Sequence, residues 1–306
     1  MTGTNTYSAA DLVAVIPEIW TPVVLEAYFA KTVAGNFFLD LSDEGKGGGD
    51  IFHVADIFTN VLTSAAKTAA AEVTLVSPAS VDISITVNTW RHIAYLIEDL
   101  ELQHSPDGYQ IVRRLAEQGG RVLADDLEDN LLALWSGLSQ TGGSTGSAVT
   151  DLQIRTAIRT LDANNVSKEN RGWFIHPRVF WDQIAALAKF YDASIRGPNT
   201  MPGPTVTGNF GDFDLNRGLY GYLYGDPVFI TTNVVTNLTA YRNIYAHRDA
   251  FGFLVITPGG NRVRMQSKYV LENLGILTVM DTIYGSAELR DLNGYVLNGS
   301  TTATAA

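Results

Sequence analysis

The chain has 306 residues, 46% of them hydrophobic, enough apolar material to give one large domain or two of average size a buried core. It contains no cysteine, which excludes disulfides, thiolate metal sites and cysteine nucleophiles. Its formal charge is −11, from 32 acidic and 21 basic residues, and no Lys/Arg run marks a phosphate-binding stripe, so tight nucleic-acid binding is not expected.

The opening MTGTNTYSAADLVAVIPEIW lacks the basic start and cleavage site of a signal peptide. No apolar run in the chain approaches the roughly 20 residues of a membrane span, so the protein is expected to be soluble and made in the cytoplasm. Residues 1–45 begin polar and then carry Ile16, Trp20, Val23, Val24, Ala27, Tyr28 and Ala34, interrupted by Pro17 and Pro22, which reads as an arm. The arm ends in DEGKGGGD (43–50), whose glycines make a helix or strand interior costly and predict a hinge or sharp turn. A two-sided excursion follows: IFHVADIF rises, TNVLTSAAKTAAAE (59–72) forms a tip of small residues, and VTLVSPASVDISITV returns. Val81, Ile83, Ile85 and Val87 alternate with polar residues, the period of a half-buried strand. So long an arm with so little bulk at its tip buries itself poorly and is expected to lie on another subunit.

Ser105, Pro106 and Asp107 then read as a helix start, and Ile111, Leu115, Leu123, Leu127, Leu131, Leu134 and Leu138 keep one face apolar. This predicts a helix over about 107–138, roughly 45 Å long. Gly119 and Gly120 in its middle imply close packing or a bend. After the loop TGGSTGSA (141–148), Thr150 and Gln153 make a capping-box signature, so a new subdomain begins there. It runs through RGWFIHPRVFWDQIAALAKF, a Gly/Pro-rich loop at 196–212, and the strands GLYGYLYG and PVFITT; helices alternate with strands, an α/β or α+β pattern. From Tyr241 the chain is strand-rich: AFGFLVI turns at TPGGN into RVRMQSKY, and GILTVMDTIYG follows. The tail GSTTATAA is expected to be frayed or exchanged with a neighbour.

Gly142 to Gly146 matches the G-x-S-x-G pattern around Ser144, but that motif needs a strand, a strained turn and a helix, and here a helix precedes it, so a flexible loop is the favoured reading. Asp212, Asp214 and Asn216 imitate a calcium loop, yet Arg217 stands where glycine is required and Leu223 where glutamate is. Asp125, Asp126, Glu128 and Asp129 fall on neighbouring helical turns, as a cation site or acid/base pair would. Without a histidine at ligand spacing, a solvated face, or one meeting arginines of another subunit, is favoured; Glu98, Asp99 and Glu101 read the same way. His53, His92, His104, His176 and His247 are scattered, so no helix carries a paired metal site, and no nucleotide-binding glycine motif is present. His176 follows the apolar WFI and precedes Pro177, which suits the first position of a helix carrying Phe180, Ile184 and Leu187. A strand, cap and helix corner is the reading; no catalytic, cofactor-binding or metal residue is assigned.

This order of arm, glycine hinge, β excursion, long helix, α/β subdomain and returning strands resembles the major capsid protein of tailed bacteriophages, an α+β fold shared with encapsulin shells and the herpesvirus capsid floor. IPEIWTPVVLEAYFAKTVAGNFF resembles the arm of that family, VDISITVNTWRHIAYLIEDLE the strand returning from its extended loop, RGWFIHPRVFWDQIAAL the corner of its axial domain, and NIYAHRDAFGFLVIT the strand re-entering its peripheral domain. The resemblance implies an N-terminal arm at 1–45, an extended β-hairpin loop at 46–90, a peripheral domain at 91–149 and 241–306 containing the spine helix, and an axial domain at 150–240. It implies a structural virion protein, not an enzyme and without cofactors, that assembles in the host bacterial cytoplasm as pentamers and hexamers of an icosahedral head enclosing double-stranded DNA. An acidic lining then suits a genome that must slide. The partners it implies are other copies of the chain, a portal protein and a possible decoration protein. Because the arm starts within the first 20 residues, a separate scaffold protein, or a chain already trimmed, is also expected. Some relatives crosslink a loop lysine to an asparagine, which would pair Lys67 with Asn293 or Asn298. An encapsulin-like compartment is the alternative, and a serine hydrolase built on Ser144 with His176 or His247 a remote one.

Overall fold

The computed structural model describes residues 22–28, 32–47, 49–56, 66–67, 69, 72–73, 81–104, 108–187, 219–237, 239–257 and 261–302. The start of the arm, most of the excursion's tip and return, the Ser105-Pro106-Asp107 helix start, the 196–212 loop, Asp212, Asp214, Asn216 and the end of the tail lie outside them.

In chain order, the hairpin strands β1 (Ile51–Asp56) and β2 (Val81–Thr86) lead into β3 (Thr89–Glu98), a short helix Asp99–His104 and the long helix α1 (Gly108–Ala133). After a 3-10 turn at Leu134–Ser136 come α2 (Asp151–Ala163), β4 (Arg171–Ile175), β5 (Leu219–Leu223), β6 (Asp226–Ile230), β7 (Ala240–His247), β8 (Phe251–Val255), β9 (Arg264–Val270), β10 (Gly275–Glu288) and β11 (Gly294–Ser300). The long helix of 26 residues spans about 39 Å and ends five residues earlier than its apolar pattern suggested. Of the expected apolar face Leu123, Leu127 and Leu131 are fully buried, joined by Ala116, Ala124 and Leu132, whereas Leu115 is half-buried and Ile111 exposed. α2 starts as its sequence indicated: Thr150 Oγ1 accepts the Gln153 N–H at 3.4 Å and Gln153 Oε1 accepts the Thr150 N–H at 2.9 Å.

Two sheets carry the molecule. In the first, β10 is the long central strand: β3 pairs antiparallel along Gly275–Tyr284 on one edge, and β9 and β8 follow one another along the other, with Leu39–Asp40 added parallel to β8. In the second, the order is Thr141–Gly142, β11, β7, β4, β6, β5. The β5–β6 hairpin turns on Tyr224 (φ 55°) and Gly225 (φ 98°), the doubly left-handed pair of a tight two-residue turn, which accounts for glycine at 225. The second sheet lies between two cores, and alternation along its strands decides which core each residue enters. Phe174, Ile244, Ala246 and Val296 join α1, Phe38 and Phe251 on one face. Trp173, Ile175, Tyr245 and Leu297 join Ile154, Ala157 and Leu161 of α2 on the other. β4, covered on both faces, is buried at all five positions.

The division expected at 240/241 does not coincide with a sheet boundary. β7 and β11 pair in register over seven residues, and β7 also pairs with β4, so the segment 241–306 is shared between both sheets. Polar clamps fix that pairing: Asn243 Oδ1 accepts the His176 N–H at 2.8 Å and its amide donates to Leu297 O, while Gln183 donates to Ser300 O at 2.7 Å.

Candidate functional site

Ser144 sits in an exposed loop, and the bond recorded for its hydroxyl is a long one, 3.5 Å from the Gly146 N–H. His176 Nδ1 accepts the Arg178 N–H at 3.2 Å, and its ring stacks on Tyr241 at 3.7 Å between centroids. Serving as an acceptor at Nδ1 requires a neutral imidazole, and burial, seconded by the Arg178 charge, lowers its pKa accordingly. It is the N-cap of a single turn, Pro177–Val179, that passes into a π-helical turn at Phe180–Ile184. His247 repeats the device, accepting the Asp249 N–H at 3.2 Å, its pKa lowered chiefly by burial. His53 pairs with Asp82 across the β1–β2 hairpin at 2.6 Å, His92 is exposed on β3, and His104 ends a short helix. No group of three or more potential metal ligands occurs among the described residues, and no described helix is long and apolar enough to cross a membrane.

The four clustered carboxylates of α1, Asp125, Asp126, Glu128 and Asp129, part company, with Asp129 exposed. Asp125 accepts from Asn233 at 3.3 Å, and the backbone carbonyl of Asp126 accepts the Tyr284 hydroxyl at 3.0 Å. Glu128 is buried, with 2% of its surface exposed, on the stripe formed by Ala124, Leu127 and Leu131. The solvated-face reading therefore fails for this residue. Its two oxygens accept the N–H groups of Ala34 and Gly35 at 2.9 and 3.0 Å, the donors at the start of the arm's short turn Ala34–Phe37. Burial pushes its pKa up to about 7 against these backbone bonds, with Asp125 adding to the rise. The backbone bonds favour the ionised form, and burial is the larger effect.

Of the other acids, Asp99 accepts the Tyr269 hydroxyl at 2.6 Å, Glu98 is exposed at the end of β3, and Glu101 lies in the short helix after it. Lys67 is exposed on the excursion, while Asn293 ends a 3-10 turn and Asn298 lies within β11 opposite Arg242.

The mid-helix glycines mark close packing. A Cβ on Gly120 would stand 2.5 Å from the Val24 carbonyl oxygen, and one on Gly119 would overlap Met280, so the arm's backbone lies directly on α1 where it has no side chain. Beside the second core Arg171, its side chain 2% exposed, bonds Asp162 at 2.7 Å, Tyr245 at 3.3 Å and the carbonyls of Val166 and Ser167 at 2.6 Å; Tyr245 in turn donates to Asp226 at 2.6 Å.

One face of the first sheet is open. Ile93 and Tyr95 pack inward, while Trp90 (65% exposed), His92, Ala94 and Leu96 point outward beside Leu277 and Val279. The Trp90 indole N–H donates to Asp281 at 2.9 Å, and Arg264 grips the same carboxylate at 2.9 and 2.6 Å. Burial pushes Asp281 upward, but these bonds prevail and hold it below the ordinary carboxylate range. Leu271 and Leu274 add exposed apolar surface at the β9–β10 turn.

No protein-family model matches the chain, and no curated protein matches it by sequence. Solved structures do match. A chain of Mycobacterium phage Che8 aligns at TM-score 0.62 and 17% identity, over 87% of this chain and 90% of that one. The capsid of Ralstonia phage GP4 gives TM-score 0.60 at 12% identity over 90% of each chain. A virus-like particle from Pyrococcus furiosus gives TM-score 0.56 at 12% identity, over 92% of this chain and 99% of that one. The protein has the mixed α+β fold of phage capsid subunits. Within that class it spans nearly the full length of each of these structures, so the likeness is that of whole subunits.

Proposed function

We propose that the chain is the major capsid protein of a tailed phage, a structural subunit that assembles as pentamers and hexamers into an icosahedral head around double-stranded DNA. The observation that carries this reading is the fold likeness, which runs over 87–90% of the chain against phage structures. On this reading α1 is the spine of a peripheral domain built on the first sheet, the β1–β2 hairpin is the base of a loop reaching over a neighbour, and the second sheet with α2 forms the axial domain. A sheet face that sets a fixed, exposed tryptophan, Leu96, Leu277 and Val279 among His92, Gln266 and Lys268 suits a subunit contact of mixed polarity. The −11 charge suits a lining that repels the genome weakly. The head forms in the host bacterial cytoplasm, with a separate scaffold protein, a portal and, where present, a decoration protein as partners.

The match to the virus-like particle from Pyrococcus furiosus favours a second reading, a protein compartment of the encapsulin type. The contents of particles purified from the native source separate the two: nuclease-protected double-stranded DNA supports the virion, and a stoichiometric protein cargo without DNA supports the compartment.

A further inference from the structure

Most acidic residues of α1 keep a carboxylate near water, but Glu128 occupies a core position of the apolar stripe and spends both oxygens on the arm. The two segments it joins are more than 90 residues apart in sequence. The groups around it are few. Asp125 precedes it on its own helix; Tyr28 faces it from the arm, with Arg262 and Asp40 beyond, paired to one another; and Tyr284 approaches from β10. Tyr28 is raised far above its ordinary value by burial and stays protonated throughout the neutral range.

We propose that Glu128 is a proton-linked latch that sets how firmly residues 32–38 of the arm are seated on α1. With the arm docked, the carboxyl is cut off from water and its pKa stands at about 7. With the arm lifted, water reaches it and the ordinary carboxylate value returns. Docking therefore takes up a proton. Its stabilisation is complete below the ordinary carboxylate range and is lost as pH rises through about 7, because the ionised form must then be buried beside Asp125. The other contacts of the arm, Val24, Tyr28 and Phe38 in the core and the Val24 backbone on Gly120, do not titrate in this window, so the arm loosens as a seated strap and does not dissolve with the fold. The latch belongs to the single chain and stands apart from the shell reading.

Amide hydrogen exchange of the full chain, measured from pH 5.5 to 8 and corrected for intrinsic exchange, tests it. Protection of the 32–38 peptide is expected to fall by on the order of tenfold across that range, while the α2 peptide stays level. In Glu128→Gln, which is neutral at every pH, the slope should vanish. A level or rising wild-type profile, an equal fall in α2, or an unchanged slope in Glu128→Gln overturns the proposal. Should the variant prove insoluble, the wild-type profiles of the two peptides decide.

Discussion

Arg171 shows what a buried charge demands of its surroundings. Its guanidinium meets Asp162, Tyr245 and two carbonyls, and Tyr245 passes the contact on to Asp226. Truncation empties a fully covered position and removes a partner of the buried Tyr245, while the exposed Asp162 and Ser167 can turn to water, so Arg171→Ala is expected to lower stability by about 1–3 kcal/mol, read as a reduced midpoint in urea denaturation. A loss under 1 kcal/mol would mean that water replaces the side chain. This residue carried no sequence signal: one arginine before an apolar strand looks like any other. Glu128 did carry one, because it follows Leu127 and precedes Leu131 on the buried stripe, but Asp125, Asp126 and Asp129 beside it drew it into a solvated group. The capping place of His176 was legible from the apolar strand before it and the proline after it, but the π-helical turn that replaces a regular helix and the stack on Tyr241 were not.

At the scale of elements, periodicity located what it governs and was silent on pairing. The 3.6-residue stripe of α1, the capping box of α2 and the alternation in β2 all stand in the structure. The sheet partners of β7 and β11 were not legible, because alternation says which face is buried and nothing of which strand lies alongside. The mid-helix glycines announced close packing, but that the partner was the arm required coordinates. Two predictions belong here. Trp90→Ala removes an exposed indole without opening a core, leaving Asp281 held by Arg264, so the melting temperature of the unassembled subunit should hold while assembly weakens. Assembly yield by sedimentation checks this; unchanged yield would remove the Trp90 face from the contacts. Deleting residues 59–72 should leave a soluble, folded subunit that no longer closes into particles, because the hairpin strands β1 and β2 pair at its base independently of the tip. Normal particles from the deletion would contradict the excursion's assigned role.

For the whole molecule, composition set the limits and architecture supplied the meaning. The absence of cysteine removed disulfides, thiolate metal sites and cysteine nucleophiles, and the −11 charge argued against tight nucleic-acid binding. The order of elements then suggested the capsid fold, and structures at 12–17% identity share it. So low an identity is physically reasonable. A fold fixed by two cores between packed layers tolerates many apolar side chains of similar volume, so architecture persists after sequence likeness has faded. The central claim is that this subunit closes upon itself. Electron microscopy of the purified, expressed chain tests it most directly: the account predicts closed icosahedral shells of uniform diameter with fivefold and sixfold clusters of subunits, and a chain that remains monomeric, with a scaffold protein supplied, would contradict it.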